Sequence, residues 1–77
     1  MFQPYKELAN AIIIQACRDL QYGIRNHNNP NSIIRRKARR LEADARSFFN
    51  GDLYNQLSNT PGEKIVKYIE RKCENEN

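Results

Sequence analysis

Residues 32–49 read Ser32-Ile33-Ile34-Arg35-Arg36-Lys37-Ala38-Arg39-Arg40-Leu41-Glu42-Ala43-Asp44-Ala45-Arg46-Ser47-Phe48-Phe49. Ile34, Ala38, Leu41, Ala45 and Phe48 recur three and four apart, which is one face of an α-helix, with Phe49 at the edge of the stripe. Charged residues fill the positions between. The segment is therefore predicted to be an amphipathic helix about 27 Å long, at 1.5 Å per residue. Ala38 and Ala45 are small enough to let another helix come close. Gly51, just beyond Phe49 and Asn50, is the natural terminator.

Working outward, Asn26-His27-Asn28-Asn29-Pro30-Asn31-Ser32 is turn chemistry and marks a polar loop at 26–32. Asn29 could cap a helix starting at Pro30, and Asn31 or Ser32 could cap one a turn later. His27 is the single histidine. It has no two further ligands nearby and reads as a solvated loop residue. Upstream, Pro4 suits a first helical turn. Tyr5, Leu8, Ala9, Ile12, Ile13, Ala16, Cys17, Leu20 and Ile24 follow at helical spacing, predicting a helix over 4–23 that ends near Gly23. Glu7, Arg18, Gln21 and Arg25 mark its other face. Ile14 falls among them, either as a contact with a second subunit or helix or as a scattered exposed side chain.

Downstream, Asp52 can cap a short helix over 52–59 that carries Leu53, Tyr54 and Leu57. Thr60-Pro61-Gly62-Glu63 is the clearest local signal: Thr60 as cap, Pro61 in the first turn, Glu63 completing a capping box. Ile65, Val66, Ile69 and Cys73 continue as a core stripe, Glu63 and Lys67 form a favourable pair four apart, and residues 74–77 should fray. Residues 1–77 thus read as a single all-α domain, a compact bundle of three longer helices and one short one. Ile12, Leu20, Ile34, Leu41, Phe48, Leu57, Ile65 and Ile69 are its expected core.

At 77 residues such a domain supports one modest core and little room for a deep enclosed site. The apolar run Ala11-Ile12-Ile13-Ile14 is far short of the roughly 20 residues that span a bilayer. No secretory signal is read at the N-terminus. Cys17 and Cys73 each fall on an apolar stripe and form no metal motif; they read as buried free thiols in a cytosolic setting. Glycine-rich phosphate loops, paired-cysteine zinc patterns and nucleophile-elbow sequences are missing. Glu42 and Asp44 are two apart and diverge on a helix, which makes them a poor catalytic pair. Glu42 with Arg46, and Arg40 with Asp44, read instead as exposed salt bridges. No cofactor, metal or catalytic residue is expected.

What remains is charge. Arg35, Arg36, Lys37, Arg39, Arg40 and Arg46 are six of the 13 basic residues, and the seven others are matched by seven acids outside this segment. The net charge of +4 therefore sits on one helix and favours an anionic partner. Four readings are open: nucleic-acid binding through phosphates, capture of a smaller anionic ligand by paired Arg forks, docking on an acidic protein, and plain solvation of the bundle's outside. Asn26–Ser32 is long for a helix-turn-helix turn, and no tyrosine falls in the basic window to stack a base.

Three stretches also carry a resemblance. They are Ala11-Ile12-Ile13-Ile14-Gln15-Ala16-Cys17-Arg18-Asp19; Leu41-Glu42-Ala43-Asp44-Ala45-Arg46-Ser47-Phe48-Phe49-Asn50-Gly51-Asp52-Leu53-Tyr54; and Leu57-Ser58-Asn59-Thr60-Pro61-Gly62-Glu63-Lys64-Ile65. The chain resembles a group of small helical proteins encoded by phages and prophages of Gram-positive bacteria. Pro61 stands where members often have an acidic residue. The resemblance implies an all-helical body acting in the cytoplasm of a bacterial host, and it brings no catalytic residues. Phage genes of this size include regulators, DNA-binding accessories and inhibitors of bacterial defence. The expectation is a non-catalytic binding protein that holds nucleic acid on the basic helix. The alternative is an accessory or anti-defence protein that takes an anionic nucleotide or an acidic host protein. A homodimer with Ile14 at the contact is also expected.

Overall fold

The computed structural model describes residues 4–75, which form α1 (Pro4–Asn26), α2 (Ser32–Phe49), α3 (Asp52–Leu57) and α4 (Gly62–Asn75). This is the all-α bundle of three longer helices and one short one. The side chain of Tyr5 and residues 76–77 of the expected frayed tail lie outside the described residues; α4 itself runs through Asn75.

α1 and α2 form an antiparallel pair. Near the loop, Gly23 faces Ala38 and Glu42, and towards the far end Ile12 and Ala16 share a groove with Ala45 and Phe48. α1 does not stop at Gly23 but continues to Asn26. A methyl group on Gly23 would stand 2.5 Å from Glu42 Cβ and 2.8 Å from the Ala38 carbonyl oxygen. This glycine therefore marks the close approach of two helices rather than a helix end. The actual end is held by the Asn26 side chain, whose Nδ2 donates to the Tyr22 carbonyl at 3.0 Å.

Asn31 caps α2, its Oδ1 accepting from the amides of Ile33 and Ile34 at 2.9 and 3.3 Å. Of the three caps the sequence offered, this one satisfies two of the orphan amides of the first turn. Gly51 precedes α3 in an extended conformation and accepts nothing through a side chain; Asp52 is the first residue of α3 rather than its cap. There it still sits favourably against the positive end of the helix. α3 ends at Leu57, shorter than 52–59. α4 begins at Gly62, so Pro61 stands just before the helix, and the Thr60 amide is taken by Ser58 Oγ at 3.1 Å. Gly62 is buried, and a Cβ there would run into the Phe49 carbonyl oxygen, so the start of α4 is pressed against the end of α2. Glu63 and Lys67 form the expected pair at 2.9 Å, which holds the exposed Glu63 carboxyl below its ordinary range.

The core joins Ala16 and Leu20 of α1, Ala45 and Phe49 of α2, Tyr54 of α3, and Ile69 and Cys73 of α4. Leu20 and Ile69 are buried as expected; Ile34, Leu41, Phe48, Leu57 and Ile65 are half-buried, and Ile12 is exposed. On α2 the buried line runs Ala38, Ala45, Phe49. Phe49, placed at the edge by the sequence reading, is 2% exposed, and Phe48 takes the flank. The cause is the packing of α3 and α4 against the last turn. Phe48, Phe49 and Tyr54 meet edge to face, with centroids 5.2–5.7 Å apart. The buried Tyr54 hydroxyl has no hydrogen-bond partner among the described residues. Both cysteines are free thiols, Cys73 buried and Cys17 half-buried; burial pushes the Cys17 thiol above its ordinary range.

Candidate anion-binding face on the second helix

The helical repeat spreads the six basic residues of α2 around its outer surface, and their neighbours divide them into three groups. Arg36 and Arg40, one turn apart, are exposed and make no hydrogen bond or ion pair to another described residue. The expected Arg40–Asp44 salt bridge is not formed among the described residues, which leaves both guanidinium groups open. Lys37 is also exposed, with its ammonium 5.8 Å from the centre of the Tyr22 ring, at the outer limit of a cation–π contact.

Arg35 and Arg39 are braced by the loop. Arg35 Nη1 donates to the Asn29 carbonyl at 3.2 Å, and Arg39 Nε donates to the His27 carbonyl at 3.0 Å. Each bond uses one of the five guanidinium N–H groups, and no other hydrogen bond joins the guanidinium of Arg35 or Arg39 to a described residue. The polar loop, residues 27–31 rather than the expected 26–32, thus folds back over the first turns of α2 and fixes where these two cations stand.

Arg46 belongs elsewhere. Its Nε donates to Glu42 Oε2 at 3.0 Å and its Nη2 to Glu70 Oε2 at 3.1 Å, which ties α2 to α4. Two carboxylates balance its charge and hold its guanidinium above its ordinary range, although burial pulls the other way. Glu42 continues the chain of contacts, its Oε1 lying 2.9 Å from His27 Nδ1. Burial works to raise the Glu42 pKa, but the bonds and charges of His27 and Arg46 outweigh it, and the carboxyl is lowered. The result is a network from loop to α2 to α4: His27, Glu42, Arg46, Glu70. His27, expected to be a solvated loop residue, is half-buried and part of this structural link. A fifteen-residue separation between His27 and Glu42 carries no motif, so the sequence offered no signal for it.

A cleft of ≈ 510 Å³ opens beside this network, lined by Arg25, His27, Arg46, Glu70 and Cys73 among others. Its charges are mixed and largely paired, which makes it a weaker place for an anion than the open face of α2. Among the described residues no group of three His, Cys, Asp or Glu side chains could hold a metal ion, and no helix is long and apolar enough to cross a membrane. No family model, no curated protein and no solved structure matches this chain.

Proposed function

We propose that this chain is a non-catalytic binding protein that holds a nucleic-acid backbone on the outer face of α2. The observation that carries the reading is the pair of open guanidinium groups, Arg36 and Arg40, flanked by Lys37 and by the loop-braced Arg35 and Arg39. Open cations spaced by a helical turn suit successive phosphates, which contribute affinity without reading sequence. Arg46 is not counted, since Glu42 and Glu70 already neutralise it. A phage-related setting, as the resemblance implies, is part of the same proposal.

A second reading is capture of a discrete anion, either a nucleotide or an acidic host protein. It is favoured by the bracing of Arg35 and Arg39, because fixed guanidinium forks suit a ligand of defined geometry. Titration of duplex and single-stranded probes at two salt concentrations tests the first reading. With about four phosphates neutralised, duplex affinity should fall roughly 150-fold between about 50 and 200 mM salt. Arg36→Glu should weaken binding to all sequences and reduce the salt slope by about one. Absence of binding at low salt by folded protein overturns this reading, while saturable one-to-one binding of a free nucleotide favours the second.

A further inference from the structure

We propose that the groove between α1 and α2, on the side away from α4, is the contact surface for a second copy of this chain, paired antiparallel through α2. One line of residues on each helix borders this groove. On α1 it runs Leu8, Ile12, Gln15, Asp19 and Tyr22; on α2 it runs Ile33, Lys37, Arg40, Asp44 and Phe48. Both have three- and four-residue spacing. Two contacts register the lines: Lys37 lies over Tyr22 near the loop, and Ile12, Gln15 and Asp19 share a groove of ≈ 300 Å³ with Asp44 and Phe48 farther down. The upper half is therefore basic, with Lys37 and Arg40, and the lower half acidic, with Asp19 and Asp44.

Apolar side chains stand open at both ends of the same face. Ile33 at the top is 78% exposed, Leu8 at the bottom is 61% exposed and Ile12 is 37% exposed. Leu8 and Ile12 continue the core stripe of α1, but no described element covers them.

The charge pattern selects the occupant, because it is complementary to its own reverse. Let a two-fold axis cross α2 at the level of Glu42. Arg40 and the partner's Asp44 then lie on the same side of that level, each about 3 Å from it at 1.5 Å per residue. The symmetric pair forms on the other side, as an isologous contact requires. The partner's Ile33 falls about 13.5 Å from the axis, within one turn of the level of Phe48, beside which Ile12 stands open. Basic meets acidic and apolar meets apolar in the same register. The face is about 30 Å long and about two helix diameters wide, on the order of 600 Å² in projection. Side-chain relief brings that close to the roughly 800 Å² that each partner gives to an ordinary stable interface.

Ile14 is 51% exposed but stands two positions, about 200°, around the helix from Ile12, so it faces away from this groove. The interface therefore differs from the one that Ile14 alone suggests. Arg35, Arg36 and Arg39 stay outside it, whereas Lys37 and Arg40 lie within it, so the dimer leaves the first three for an anion and competes with an anion for the other two.

Sedimentation across a concentration series, in the absence of nucleic acid, is the test. The wild-type chain should dimerise in the micromolar range. Arg40→Asp sets like charges opposite each other at two symmetric positions and should weaken the dimer at least about tenfold, as should Asp44→Arg. The double variant Arg40→Asp, Asp44→Arg restores both pairs and should recover dimerisation. These positions are exposed, and helical circular dichroism confirms that each variant is folded. Ile12→Glu should abolish the dimer, whereas Ile14→Glu should leave it intact. A persistent wild-type monomer overturns the proposal. So does a double swap that is no better than the single ones, or loss of the dimer with Ile14→Glu alone.

Discussion

Gly23→Ala sets local propensity against tertiary packing, and the two predict opposite signs. Gly23 lies inside α1, where replacing glycine by alanine ordinarily stabilises a helix by about 0.5–1 kcal/mol. In this bundle the added methyl would stand 2.5 Å from Glu42 Cβ, 2.8 Å from the Ala38 carbonyl oxygen and 3.0 Å from Glu42 Cα. Two of those three neighbours are backbone atoms of α2, and the third is fixed to it, so no side-chain rotation relieves the clash. The helices must separate, and such overpacking costs about 1–3 kcal/mol. The separation also disturbs Glu42, which holds His27 at 2.9 Å and Arg46 at 3.0 Å. The packing cost exceeds the propensity gain, leaving a net destabilisation of about 0.5–2 kcal/mol. For a domain of this size that is a fall in Tm of roughly 2–16 °C. Thermal unfolding followed by helical ellipticity reads it, with Gly51→Ala as a contrast, since a Cβ there meets its nearest neighbour at 3.2 Å. A Gly23→Ala protein with unchanged or raised Tm would refute the close-contact argument.

Phe49→Ala should cost about 3–5 kcal/mol and Phe48→Ala clearly less, measured by urea denaturation, because Phe49 is 2% exposed and Phe48 is on the flank. The reverse order would show that the aromatic cluster is assembled differently. Tyr54→Phe removes a buried hydroxyl with no partner among the described residues and should leave stability unchanged or raise it by about 1 kcal/mol; a loss of that size contradicts the packing. Glu42→Gln should lower stability at neutral pH by about 1–2 kcal/mol, since it weakens the bonds to His27 and Arg46. The folded state lowers the Glu42 pKa, so its contribution is present above the ordinary glutamate pKa of about 4.3 and is lost as pH falls through the lowered value. The gap between wild type and Glu42→Gln, from denaturation curves at neutral and acid pH, should therefore close on acidification; a constant gap would remove Glu42 from the network.

Local periodicity alone was enough for the helices. The stripes Ile34–Ala38–Leu41–Ala45 and Ile65–Val66–Ile69–Cys73 have a three-to-four repeat that only a helix can turn towards one side, and Asn31 and Gly51 punctuate them. The basic character of α2 was equally legible, because composition carries charge whatever the fold. Tertiary structure decided matters where two elements compete for the same space or the same partner. Gly23 has the chemistry of a helix end, yet it is a crossing point because α2 leaves no room for a Cβ. Phe49 rather than Phe48 fills the centre because α3 and α4 close on that side, and neither helix is visible from the periodicity of α2 itself. Arg36 and Arg46 are the same residue type ten positions apart on one helix. One is open and the other neutralised; the pairing of Arg46 with Glu42 four residues back was legible in the sequence, but its second carboxylate, Glu70 on α4, was not. Charge can be counted along a chain, but whether it is free depends on which carboxylates the fold brings to it.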